Sequence, residues 1–199
     1  MRARRNLLRR TAACRACGLG CLELPRCVGF GPASAEVAIV GLNPSVRAAG
    51  AGCVGCFLIP TLARLGRRAA ALKLQGAARA FYHLSREAGV DLRRVYATNA
   101  VKCATPGNRA LSPEEVRTCG TTHLTTELET LPNLRTVLVF GAAAGAFLGL
   151  SDFGARTRVE GTLAEAVLLR HPISTLRKWT NLGRDARRLR EAFGPARIS

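Results

Sequence analysis

The chain of 199 residues contains eight cysteines, and their spacing gives the first sign of chemistry. Cys14 and Cys17 form a CxxC pair, whereas Cys103 and Cys119 stand 16 positions apart. Four thiolates brought together bind zinc or an iron–sulfur cluster. Zinc ribbons usually carry two close pairs, so the long second interval favours a cluster, but the spacing leaves both metals open. The other four cysteines are interpreted as buried thiols, and two of them, Cys53 and Cys56, also form a rival CxxC pair; the remaining two are Cys21 and Cys27.

Three short polar motifs follow or close apolar runs, at residues 41–44, 99–103 and 170–172. The amide of Asn99 offers one acceptor and two donors to a planar ligand. The imidazole of His171 can donate to a developing negative charge, and Asn43 can orient a water molecule. Each also has a structural interpretation, as a strand-end turn residue, a structural histidine and a loop cap respectively.

The apolar runs that carry these motifs predict four strands, at residues 36–41, 95–101, 135–141 and 166–169. Helical patterns fall between and after them, at residues 61–88 with a break near Gly76, at 112–131 and at 176–193. Ser112, Pro113 and Glu115 predict a capping box at the start of the second helix.

Strands that alternate with helices predict an α/β fold, namely a three-layer αβα sandwich with a central, mostly parallel four-stranded sheet. Ligands of such sheets bind where the loops leave the carboxyl ends of the strands. We therefore expect the three polar motifs to meet at that edge. No repeat or linker divides the chain, so residues 1–199 are predicted to form a single domain.

The charge balance points to a polyanionic partner. Thirty Lys and Arg residues against thirteen Asp and Glu leave a formal charge of +17. Only three of the thirty are lysines, and guanidinium groups match phosphate oxygens well. A GC-rich genome would also enrich arginine, so the charge alone does not name the ligand. A hydrophobic content of 48% excludes a disordered chain.

No segment of the sequence is typical of membrane insertion or export. The longest uncharged apolar run, residues 137–150, is 14 residues long, which is too short to cross a bilayer. We expect a cytoplasmic monomer whose cysteines stay reduced, and this favours metal binding over disulfides.

The motif around Asn99 closely resembles a known family. The string YATNAVKC at residues 96–103, followed by PGNR at 106–109 and SPEEV at 112–116, is similar to the iron–sulfur uracil-DNA glycosylases called family 4. The N-terminal CxxCxL motif, with Gly29 and Gly31 before the first strand, adds to the likeness, which covers about residues 10–180.

This resemblance implies a uracil-DNA glycosylase domain, a cofactor and an activity. The cofactor would be a 4Fe-4S cluster on Cys14, Cys17, Cys103 and Cys119, covered by an N-terminal loop at about residues 10–30. The activity would be monofunctional excision of uracil from DNA, which leaves an abasic site for base excision repair. Hypoxanthine and other deaminated bases are further candidate substrates.

The first catalytic motif departs from family 4. Where that family has a GEAPG-like loop with an acidic residue, this chain has Gly41-Leu42-Asn43-Pro44, similar to the GxNP loop of mismatch-specific and single-strand-selective glycosylases. Asn43 then corresponds to their water-positioning asparagine. An amide is a poor general base, so we expect slower chemistry than a carboxylate gives.

The resemblance also implies roles for individual residues. Asn43 and His171 are the expected catalytic residues, with His171 donating to uracil O2. The expected substrate-binding residues are Gly41, Leu42, Phe57 and Asn99, and the expected DNA-binding residues are Leu176, Arg177 and Lys178, with Leu176 as the wedge. His83 and His123 are interpreted as structural.

Two other functions fit the same residues. The first is a non-catalytic or very slow binder of uracil-containing or abasic DNA that uses the same pocket, because the loop lacks an acid. The second is a zinc-dependent nucleic-acid-binding protein.

Overall fold

The structure, a computed structural model, describes residues 2–22, 26–44, 74, 76–172 and 182–193. The α-helices in these ranges are α1 (Arg2–Ala13), α2 (Gly76–Ala88), α3 (Pro113–Cys119), α4 (Thr125–Glu129), α5 (Ala142–Gly145) and α6 (Leu182–Phe193). The strands are β1 (Val37–Gly41), β2 (Val95–Asn99), β3 (Thr136–Phe140), β4 (Arg156–Arg158) and β5 (Glu165–Leu169). None of the helices described is long and apolar enough to cross a membrane.

The strands form one sheet in the order β2-β1-β3-β5-β4. The first four are parallel, and β4 pairs antiparallel with β5. The predicted mostly parallel α/β fold is confirmed, but the predicted number of four strands is wrong. The missed strand, β4, has the sequence Arg-Thr-Arg with both arginines exposed, so no apolar run indicates a strand there. Its pairing with the buried strand β5 creates it.

Alternate residues of β1 enter two separate cores, as a sheet covered on both faces requires. Ile39 packs in the core that contains Phe81 of α2 and Leu189 of α6. Val40 packs in the opposite core, which contains Leu128 of α4. The sheet therefore lies between two helical layers, and this confirms the predicted three-layer sandwich.

The predicted helix at residues 112–131 is present but interrupted. The hydroxyl of Ser112 accepts a hydrogen bond from the Glu115 amide at 3.1 Å, and the Glu115 carboxylate accepts one from the Ser112 amide at 2.8 Å. This capping box starts α3. A π-helical turn at Gly120–Leu124 separates α3 from α4, and the described parts of the predicted helices at 61–88 and 176–193 are α2 and α6.

The N-terminal segment begins with α1, which the sequence did not predict, so residues 10–13 are helical rather than part of a loop. The guanidinium of Arg26 donates to the carbonyls of Thr11, Ala12 and Gly20, near the end of the helix and in the turn that follows. The backbone of Arg26 pairs with that of Cys103 just after β2. This arginine therefore ties the segment that contains the CxxC pair to the end of β2.

Candidate active site

The polar motifs of the sequence lie along the carboxyl-terminal edge of the parallel strands. Gly41 at the end of β1 lies in register with Asn99 at the end of β2. Phe140 at the end of β3 is in register with Leu169 at the end of β5, and His171 follows two residues later. β2 and β5 are three strand intervals apart, about 14 Å at the usual strand spacing. The side chains that follow β2 and β5 therefore lie on the same edge of the sheet, with the ends of β1 and β3 between them.

Asn99 presents a buried amide at this edge. Its residue is only 5% exposed, and its Nδ2 has no hydrogen-bond partner in the part of the chain that the structure describes. The Asn99 Oδ1 lies 2.8 Å from the position that a Cβ on Gly41 would take, so the amide needs a glycine beside it. A buried donor without a partner costs free energy unless a ligand satisfies it.

His171 lies half-buried beside Gly141, with its Cβ 3.8 Å from the position of a Cβ on that glycine. Gly141 has a φ of +93°, a conformation that favours glycine. Burial lowers the pKa of His171 below its ordinary value. The imidazole is therefore neutral at neutral pH and retains one N–H donor.

This lowered pKa predicts a pH dependence of folding. A histidine with a lower pKa in the folded than in the unfolded chain binds more protons when unfolded, so stability falls as the pH drops below the unfolded value of about 6.5. We expect wild type to lose stability faster than a His171→Gln variant there, by at most about 1.4 kcal/mol per pH unit. Urea denaturation at about pH 8 and about pH 5 measures the difference. Identical pH dependence of the two proteins would refute the prediction.

Asn43 lies in the loop after β1, next to backbone that is hydrogen-bonded to the residues following β2. The amides of Ala100 and Val101 donate to the carbonyls of Gly41 and Leu42, each at 2.8 Å. The half-buried Asn43 donates through Nδ2 to the Pro44 carbonyl at 3.3 Å. This bond fits a loop-capping role, and it leaves the side-chain oxygen of Asn43 to accept from another group.

Five of the predicted catalytic and substrate-binding residues thus lie at one edge of the sheet: Gly41, Leu42, Asn43, Asn99 and His171. The remaining predicted substrate- and DNA-binding residues lie outside the described residues: Phe57, Leu176, Arg177 and Lys178. The rival ligands Cys53 and Cys56 do so as well. The roles assigned to all of these residues stay predictions.

A buried ion pair behind Asn99 was missed by the sequence reasoning. The side chains of Lys102 and Glu127 are both 0% exposed and form a salt bridge. Burial alone would raise the pKa of Glu127, but the Lys102 charge and hydrogen bonds from Lys102, Thr98 and Gly29 outweigh it and lower the pKa. Glu127 is therefore ionised. Removing one partner of such a pair costs about 3–5 kcal/mol, because the other charge is left buried and unpaired.

The four predicted metal ligands come from three parts of the fold. Cys14 and Cys17 follow α1, Cys103 follows β2, and Cys119 ends α3. Cys103 and Cys119 are buried in one core, and the half-buried Cys17 packs against that core. Among the residues described, no three His, Cys, Asp or Glu side chains are gathered closely enough to hold a metal.

Burial and the surrounding charges shift the pKa values of the two buried thiols. Burial raises the pKa of Cys119 to about 11, and charges on Cys17 and Cys103 would raise it further. Burial likewise raises the pKa of Cys103, which the charge of Arg26 lowers and charges on Cys17 and Cys14 would raise. A bound metal deprotonates such thiols. In chemical type the donor set, two buried thiols and a CxxC pair tied to them through Arg26, fits a tetrathiolate metal group, but the four thiols are not gathered into a metal-binding cluster among the described residues.

The fold is a mostly parallel α/β sandwich with an amide and an imidazole at the carboxyl-terminal edge of its sheet. Residues 28–193 match the sequence model of the uracil DNA glycosylase superfamily, and the chain belongs to that superfamily. This finding confirms the superfamily indicated by the sequence motifs.

Two relatives refine this membership. A type-4 uracil-DNA glycosylase of Archaeoglobus fulgidus is 30% identical over 171 residues, which cover 80% of this chain and 72% of that protein. A type-5 uracil-DNA glycosylase of Pyrobaculum aerophilum is 38% identical over 115 residues, which cover 58% of this chain and 48% of that protein. The match thus spans about half the length of the Pyrobaculum protein. The similarity to the type-4 relative confirms the predicted closeness to family 4.

Proposed function

We propose that this chain is a DNA glycosylase that hydrolyses the N-glycosidic bond of uracil in DNA. The reaction leaves an abasic site and makes the chain a monofunctional enzyme of base excision repair. The observation that carries the proposal is the buried Asn99 amide, whose Nδ2 lacks a partner in the described ranges and which stands at one edge with His171. The names of both relatives support the same substrate.

Asn99 is the proposed reader of the base. Its Oδ1 accepts from uracil N3–H, and its Nδ2 donates to uracil O4. Cytosine presents the reversed pattern, an acceptor at N3 and a donor at N4, so it would leave buried polar groups unpaired. The base must first leave the helical stack, and unstacking costs a few kcal/mol, least in single strands or mismatches. Phe57 is proposed to stack on the extruded base.

His171 and Asn43 are the proposed catalytic residues. The neutral imidazole of His171 donates to uracil O2, where negative charge develops as the glycosidic bond breaks. Backbone amides of the loop at residues 41–43 add donors to the same charge. The Asn43 oxygen orients the attacking water but takes its proton poorly. Because a positioned general base contributes about 10²–10⁴-fold, we expect a slow hydrolytic step.

The proposed cofactor is a 4Fe-4S cluster held by Cys14, Cys17, Cys103 and Cys119. Hydrolysis transfers no electrons, so the bound cluster would supply a structural link between α1, β2 and α3. The burial of Cys103 and Cys119 in one core, the packing of Cys17 against that core and the Arg26 contacts to the CxxC segment support this assignment. Free thiols and such a cluster are compatible with the reducing cytoplasm.

The proposed partner is DNA, bound by a monomeric single domain. The formal charge of +17 favours a polyanion. Arg177 and Lys178 are proposed to contact the phosphates that flank the extruded nucleotide, and Leu176 is proposed to fill the gap in the stack.

A panel of oligonucleotides tests the activity. Single-stranded and mismatched duplex DNA containing uracil, hypoxanthine or xanthine is incubated with the protein and then treated with alkali. We expect strand breaks at uracil, and we expect Asn43→Ala to reduce their rate by about 10-fold or more through loss of the oriented water. The exposed asparagine variant Asn133→Ala serves as the control and should match wild type.

An inactive wild-type protein would distinguish the proposed enzyme from a binding protein. If wild type leaves every deaminated base intact in both single and double strands, the glycosylase proposal is wrong. If it then still retains uracil-containing or abasic DNA in a gel shift, the chain is a non-catalytic binder that uses the same pocket.

A further inference from the structure

The chain contains a fully buried ion pair, Lys102–Glu127. Neither residue has a role in the hydrolytic steps proposed above. We propose that this pair is a positioning device for base recognition. It fixes the backbone at the end of β2 and so determines where the Asn99 amide meets the base. The inference rests on the proposed glycosylase function and assigns it two further residues, neither of which touches the substrate.

Lys102 acts directly on the backbone of the base-reading residue. Its Nζ donates to the Asn99 carbonyl at 2.7 Å and to the Thr98 hydroxyl at 2.8 Å. The side chain therefore closes a four-residue loop, from the last residue of β2 to Lys102 itself. The amides of Ala100 and Val101 within that loop bond to β1 and the residue after it. The peptide plane that follows Asn99 is thus held from two directions.

Glu127 anchors the ammonium group to the rest of the fold. Its carboxylate comes from α4 and accepts from the Gly29 amide at 2.6 Å, the Tyr96 hydroxyl at 2.8 Å and the Thr98 hydroxyl at 2.7 Å, as well as from Lys102. Both carboxylate oxygens are therefore occupied, and the side chain is 0% exposed. Glu127 has no lone pair directed at the site edge, which excludes a general-base role and leaves a positioning role.

Stability alone does not account for two charges at this place. Apolar residues of similar volume usually replace a buried ion pair without loss of stability. What the charged pair adds is a set of short, directional bonds in a low-dielectric interior, and these define one geometry. That geometry matters here because misplacing a recognition group by about 1 Å costs about 10²-fold in rate.

The test removes both charges together. In the variant Lys102→Met with Glu127→Gln, the volumes are kept, and the Gln amide can accept from Gly29 and donate to Thr98. We expect thermal unfolding and KM for uracil-containing DNA close to wild type, because phosphate contacts are untouched. We expect kcat to fall by about 10²-fold and the preference for uracil over cytosine to narrow, because Asn99 loses its fixed position. A purely structural pair would leave kcat and base preference unchanged once folding is normal.

The matched control is the exposed pair Arg156–Glu165, with side chains 51% and 47% exposed. The same change there, Arg156→Met with Glu165→Gln, should leave kcat and base preference as in wild type. Wild-type kcat and base preference in a folded Lys102/Glu127 double variant would overturn the positioning role.

A second variant serves if the double variant does not fold. Thr98→Val keeps the ion pair but removes the hydroxyl that bonds both partners, and we expect kcat to fall about 10-fold with KM unchanged, because Asn99 is displaced less than when the whole pair is lost. An unchanged kcat in Thr98→Val would then overturn the proposal. An inactive wild type would instead refute the glycosylase function itself, so the two failures are distinguishable.

Discussion

An Asn99→Asp substitution is expected to abolish uracil excision while leaving the shape of the pocket intact. The change replaces the Nδ2 donor by an oxygen, so uracil O4 would meet an acceptor instead of a donor. A site built to hydrogen-bond its substrate rejects a mismatched pattern by about 10⁴–10⁵-fold, and we expect a loss of kcat/KM of that size. Single-turnover excision from a uracil-containing oligonucleotide measures it.

A second substitution at the same position distinguishes the effect of a repulsive hydrogen-bond pattern from the effect of losing the hydrogen bonds. Asn99→Ala removes both hydrogen bonds without placing an acceptor against O4, so its loss should be smaller than that of Asn99→Asp. The Nδ2 of Asn99 has no partner in the described part of the chain, so neither variant loses an internal hydrogen bond made by that atom.

The control for these variants is Asn133→Asp, which makes the same chemical change at an exposed position. It should excise uracil at the wild-type rate. If the kcat/KM of Asn99→Asp for uracil excision stays within about ten-fold of the wild-type value, Asn99 does not recognise the base through the two hydrogen bonds that we propose.

The sheet and its edge could be predicted because local sequence determines them. β1 and β3 are short apolar runs buried on both faces, a pattern typical of parallel strands that helices cover on both sides. In a parallel sheet the carboxyl ends of the strands lie at the same edge. Asn99 and His171 are therefore predicted to lie at that edge, because each stands at or just after the end of a predicted strand. Strand β4 could not be predicted, since only its partner β5 makes Arg156–Arg158 extended.

The ion pair behind Asn99 depends on tertiary structure. Lys102 and Glu127 are 25 positions apart, and nothing local to either one specifies the contact. One signal was available: Glu127 stands three residues after Leu124 and directly before Leu128, on the apolar stripe of its helix. A charge on a buried stripe requires a partner, although the stripe does not identify which one.

The cysteines form an intermediate case. Their types and spacing indicate a thiolate site without deciding between zinc and a cluster, and the fold then places Cys103 and Cys119 in one core against which Cys17 packs. Arg26 contributes by joining the CxxC segment to Cys103, through contacts that span residues 11 to 103.

Replacing Cys103 by alanine is expected to remove the metal and loosen the N-terminal segment. The variant lacks one of the four proposed ligands, and we expect its iron content to fall below about a tenth of the wild-type value, because a site that is formed by folding loses its metal together with its geometry. The visible absorption of the cluster should disappear, and proteolysis should increase between α1 and β1. Elemental analysis, absorption spectroscopy and limited trypsin digestion measure these changes.

Cys21→Ala is the matched control, because Cys21 is exposed and outside the proposed ligand set. It should keep the iron, the colour and the protease resistance of wild type. A colourless wild-type protein that contains zinc would overturn the cluster assignment while leaving the thiolate site in place. Full iron content in Cys103→Ala would remove Cys103 from the ligand set, and the rival pair Cys53 and Cys56 would then supply the candidate replacements.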